Sequence, residues 1–163
     1  MQRIVLIMLI SIFWLFLRGF QADRNIQETA HVRLKEGINK AAHDASMQVD
    51  DYQWGQGKIV FNHTKAIDVF RNTLAYNTDL RPDLNPIPGT FFADPIEITF
   101  EDYVDDSSGV VFPFTYINDR EGIYHVLKGP AVVYKVRTKV RQTNPWSYKG
   151  YIRKTVVFEY PYP

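Results

Sequence analysis

The sequence predicts an α+β protein: a long N-terminal helix, first membrane anchor and then amphipathic stalk, packed on a C-terminal antiparallel sheet. Three observations carry that prediction. Residues 4–17 form an apolar run broken only by Ser11. No proline precedes Pro82, and across the first fifty residues only Gly19 and Gly37 interrupt good helix formers. From Pro95 onward the apolar spacing changes from three-to-four to two. Helices first and strands afterwards is the α+β order.

Residues 1–21 read as a transmembrane signal-anchor. Residues 4–20 reach the lower edge of a membrane span, about 17 residues. Ile4, Leu6, Leu9, Phe13, Trp14 and Leu17 are its lipid-facing candidates, with Arg3 and Arg18 placed to snorkel to the two interfaces. Residues 16–21 contain no small-x-small cleavage pattern, which favours a retained anchor. A literal positive-inside count over Arg18, Arg24, Arg33 and Lys35 would hold the domain in the cytoplasm. The three-residue head and the interleaved Asp23, Glu28 and Glu36 point to export instead. The expectation is a single-pass protein of the cell membrane with an extracytoplasmic domain.

Residues 22–49 continue as an amphipathic stalk helix. Ile26, Ala30, Leu34, Ile38, Ala41 and Ala45 recur at spacings of three and four and form one stripe. Its alanines permit close backbone approach, either to the chain's own sheet or, in part, to neighbouring subunits. Residues 50–163 form the α+β globular domain. There, residues 50–57 are a turn region, 58–62 a short strand and 63–77 a second helix. Residues 78–95 form a long proline-rich loop, a length that is either functional or well pinned. Strands follow at residues 96–101, 110–117, 123–127, 131–142 and 148–160, read as a meander. Pro113 suits an edge or a bulge, and turns fall at residues 105–109, 118–122 and 144–146.

Composition narrows the function. A chain of 163 residues that is 45% hydrophobic and 15% aromatic builds a core and is not disordered. A net charge of +1 gives no electrostatic footprint for nucleic acid. With no cysteine, disulfides, thiolate metal sites and a cysteine nucleophile are excluded. The four histidines, His31, His43, His63 and His125, are scattered. No HExxH, P-loop, GxSxG or dinucleotide-binding glycine pattern occurs. No catalytic residue, cofactor or metal is assigned. The acidic run Glu101-Asp-Tyr-Val-Asp-Asp106 lacks the spacing and glycine of an EF-hand and reads as a solvated turn.

One strand carries a polar pattern. Lys135, Arg137, Lys139 and Arg141 alternate with apolar residues, and Lys149, Arg153 and Lys154 extend the stripe. It is a candidate surface for an acidic partner, or a face paired with the acidic half formed by Asp94, Glu97, Glu101, Asp102, Asp105, Asp106, Asp119 and Glu121.

Taken together, the apolar head, the Ala-rich KEGINKAAHDASMQVD segment, GKIVFNHTKAIDVFRNTLAYN and the Gly129-Pro-Ala-Val-Val133 opening of a late strand resemble the TadE-like, pilin-related membrane proteins of Gram-positive bacteria. The resemblance runs in patches over residues 20–160. It implies a non-enzymatic, pseudopilin-like structural subunit of a surface pilus or secretion apparatus. Its partners would be the membrane, other subunits of that apparatus and further copies of itself. The alternative is a single-pass scaffold or binding domain of a conjugation or secretion channel that never enters a filament.

Overall fold

The computed structural model describes residues 2–144, Ser147 and residues 150–161. Helix α1 (Gln2–Ser46) runs unbroken for 45 residues, about 68 Å at the rise of an α-helix. Its character changes midway. From Ile4 to Phe20 its large apolar side chains are 44–65% exposed. From Ala30 onward the stripe of Ala30, Leu34, Ile38, Ala41, Ala42 and Ala45 is buried.

What covers that stripe is chiefly α3 (His63–Asn77), through Ala66, Phe70 and Leu74. The Asn62 side chain caps α3 by accepting the Lys65 N–H at 3.1 Å. Small residues on α1 let the two helices approach. A Cβ at Gly37 would lie 2.8 Å from Thr78 Cγ2, so the crossing has no room for one. A single helical turn, α2 (Asp51–Gly55), is capped by Asp50 and lies in the segment expected to be a turn region.

Both helices pack on one face of an antiparallel sheet formed by β1 (Glu97–Val104), β4 (Ala131–Lys139) and β5 (Tyr151–Glu159), with β4 central. The remaining strands, β2 (Phe114–Asn118) and β3 (Ile123–Leu127), form a separate hairpin. The α+β architecture expected from the sequence is therefore present. The simple meander is not, because β1 pairs with β4 across the inserted hairpin. The reason lies in β4, whose first four residues, Ala131–Tyr134, are buried and so need cover on both faces. Helices supply one layer around Val132 and Tyr134. The hairpin supplies the other, where Tyr116, Ile123 and Leu127 close over Ala131, Val133 and Val104.

Several boundaries differ from expectation. Residues 58–62 form no strand beyond an isolated bridge from Val49 to Phe61. Two of their amides take carboxylate partners instead, Ile59 N–H on Asp106 at 2.7 Å and Phe61 N–H on Asp105 at 2.9 Å. β1 continues to Val104, into the acidic run, and β2 starts only after Pro113. β4 ends at Lys139, three residues short of expectation. The expected start of the last strand at Tyr148, with Pro145, Trp146 and Lys149, lies outside the described residues. The long loop is pinned: Ala93 N–H donates to Lys139 O, Arg141 N–H to Phe91 O and Ile96 N–H to Leu84 O.

Chain direction now fixes the two ends. The His43 ring meets Phe158 edge-on at 5.2 Å, so the Ala131 end of β4 lies beside the C-terminal end of α1. β4 then runs back along α1, bringing Thr143, Asn144 and Ser147 to the junction where the bare apolar segment ends.

Candidate membrane anchor and its junction with the domain

The anchor begins from composition. α1 is long and apolar enough to cross a membrane, and its apolar window has no buried residue. Ile4, Leu6, Leu9, Phe13, Trp14 and Leu17 are all exposed. In lipid such a segment needs its backbone satisfied internally, which a continuous helix achieves. Ser11, its lone polar residue, donates its hydroxyl to Ile7 O at 2.9 Å. The Arg18 guanidinium stands 4.6 Å over the Trp14 ring, a cation–aromatic pair near the end of the apolar stretch.

Immediately beyond lies the least expected feature of the molecule. Asp23, one helical turn past Gly19, is only 2% exposed. Its carboxylate accepts four hydrogen bonds from described residues about 120 positions away. Oδ1 takes the Thr143 amide at 2.8 Å and its hydroxyl at 2.5 Å. Oδ2 takes the Asn144 amide at 2.9 Å and the Ser147 hydroxyl at 2.5 Å. The turn that supplies these donors is closed by Ser147 N–H on Asn144 O. Burial alone would raise the pKa of Asp23. The bonds from Ser147, Thr143 and Asn144 outweigh it and bring the pKa down to about 2. The group is a fixed anion that latches the β4–β5 connection to α1. No match to a family model, a curated protein or a solved structure accompanies this geometry.

The stripe residues have a different placement from that of a free assembly face. Ala30, Leu34, Ile38, Ala41 and Ala45 are core, and Ile26 packs partly buried against them. They are not available to a neighbouring subunit.

The four basic residues of β4 and its extension alternate along the central strand, and three of them are already partnered. Lys135 pairs with Glu121 at 3.2 Å, Arg137 with Glu97 at 2.6 Å and Lys139 with Asp94 at 2.9 Å. Arg137 and Lys139 also flank the Tyr151 ring. Half-exposed pairs of this kind contribute about 0–1 kcal/mol each. Arg141 is exposed and has no carboxylate partner among the described residues.

Several other titratable groups serve the structure. Asp105 accepts from Phe61 and Ser107, and Asp102 from Tyr116 and Tyr103. Burial and then the Asp102 bond push the Tyr116 hydroxyl up to about 12. His63 stacks on Tyr103 at 4.1 Å, and Tyr103 shares its hydroxyl with buried Tyr134 at 2.9 Å. Burial first, then the charge of Lys154, lowers the pKa of His31, which sets β5 beside α1. Among the described residues no cluster of three His, Asp or Glu side chains has metal-binding geometry. An open groove of about 650 Å³ beside the Arg33–Asp79 ion pair is shallow and holds no nucleophile–base pair.

Sequence reasoning counted Asp23 as one of several interleaved charges and missed the latch. A carboxylate placed directly after an apolar run is the one local hint. Nothing in a linear pattern couples it to Thr143, Asn144 and Ser147.

Proposed function

We propose that this chain is a non-enzymatic, single-pass structural subunit of the cell membrane, a pilin- or pseudopilin-like component of a surface or secretion apparatus with its domain outside the cytoplasm. One observation carries the reading: α1 is continuous, bare and apolar in its first part, and core of the domain in its second. No flexible linker separates anchor from domain, so the position of the helix in a membrane dictates the position of the head. That rigid coupling suits a subunit whose heads are placed by packing of their membrane helices. It is unnecessary for a tethered enzyme. The lateral contact surface left to α1 is its apolar segment, since the alanine stripe is consumed within the domain.

The chain contains no cysteine, so Leu9→Cys gives a unique reporter in that segment. Oxidative crosslinking in cells should yield a band at twice the chain mass, since one cysteine per chain forms one disulfide with one neighbour. A single band joined to a different protein would favour the static scaffold of an envelope channel. Protease shaving of intact cells carrying a C-terminal tag tests the orientation. A tag cleaved only after lysis would place the domain in the cytoplasm and overturn the proposal.

A further inference from the structure

We propose that the latched β4–β5 connection is a second membrane contact that takes anionic lipid headgroups and holds the domain at a fixed angle to the bilayer. The inference rests on the membrane-anchored reading above. Its first support is position. Asn144 Nδ2 would lie 3.8 Å from a Cβ on Gly19, so the connection stands against the last turn of the apolar segment. Asp23, which holds it there, is about 6 Å further along the helix axis. If residues 4–20 lie in lipid, Thr143, Asn144 and Ser147 are at headgroup height.

Charge is the second support. Every described carboxylate at this end is engaged: Asp23 by four donors, Glu28 by Arg24, Asp94 by Lys139 and Glu97 by Arg137. Arg18 and Arg141 are exposed and have no carboxylate partner among the described residues. An anionic surface neutralises such cations within roughly one Debye length, about 8–10 Å. It contributes enough per residue to change a docked-to-free ratio about fivefold. The latch gives this contact its use. A helix alone leaves rotation about its axis and tilt free, whereas a second contact 120 residues away in the chain removes both freedoms.

The full chain in nanodiscs of zwitterionic lipid, alone or mixed with phosphatidylglycerol, tests this. A quencher-sensitive fluorophore is placed on Ser11→Cys, Gln142→Cys or, at the far hairpin, Thr115→Cys. Ser11 should be quenched by lipid-borne quencher in both compositions, and Thr115 in neither. Gln142 should be quenched more strongly with anionic lipid, and Arg141→Glu should abolish the difference. Arg141 is a surface residue, so an unchanged thermal transition confirms that the variant is folded. Quenching at Ser11 with equal, weak signals at Gln142 in both lipids would overturn this inference and leave the anchor intact. No quenching at Ser11 would overturn both.

Discussion

Asp23→Asn is the sharpest perturbation of this fold, because it keeps the shape of the side chain and changes only its charge and one acceptor. Whichever way the amide turns, its NH2 faces a hydroxyl and a backbone N–H, from Thr143 or from Asn144 and Ser147. The hydroxyl rotates to accept; the N–H cannot. An orphaned buried donor costs about 1–3 kcal/mol. Proton linkage gives an independent figure. The carboxyl falls from its ordinary 3.8 to about 2 on folding, which corresponds to roughly 2.5 kcal/mol. Asp23 lies near the surface, under Thr143, Asn144 and Ser147 among the described residues, so solvent screening reduces this to about 1–2 kcal/mol. For a chain of this size the variant should unfold about 2–8 °C lower at neutral pH. Because the folded pKa is depressed, the wild-type advantage is present above pH 3.8 and lost as pH falls through about 2. Thermal unfolding of the full chain in micelles across that window measures the gap, and hydrogen exchange at the Thr143 and Asn144 amides localises it. Equal transitions and equal exchange in the two proteins would refute the latch.

Other outcomes follow from the same packing. Ala41→Glu places a charge at a site with no exposure and should prevent the domain from folding, seen as loss of a cooperative transition. Gly37→Ala gains about 1 kcal/mol of helix propensity, but its methyl meets buried Thr78 at 2.8 Å. A net loss of about 1–2 kcal/mol in denaturant titration is expected. Tyr134→Phe keeps the stacking on Phe70 and removes the shared hydroxyl bond to Tyr103, costing about 0.5–1.5 kcal/mol by the same titration. Arg137→Ala removes an exposed ion pair with Glu97 and should change stability by less than about 1 kcal/mol, with any effect vanishing at high salt.

What the sequence determined by itself was local. Residues 4–17, the three-to-four stripe at Ala30, Leu34, Ile38 and Ala41, and the second helix at residues 63–77 are periodic segments, and periodicity is written in the chain. α3 begins and ends where Asn62 and Thr78 cap it. Alternation in β4 was likewise legible, because one strand's two faces are neighbours in sequence. Tertiary structure decided everything that depends on a partner far along the chain. The alanine stripe alone does not say whether it meets a neighbour or the chain's own α3; Phe70 and Leu74 settle that. β1 pairs with β4 rather than β2 because β4 is apolar on both faces and the hairpin is needed as a second cover. The strand expected at residues 58–62 is lost because Asp105 and Asp106 take its amides first. Asp23 is the extreme case. A carboxylate beside an apolar run looks like a solvated charge until a turn 120 residues away brings four donors to it. Hydrogen-bond satisfaction is a property of positions in space, and the linear spacing of residues carries no record of it.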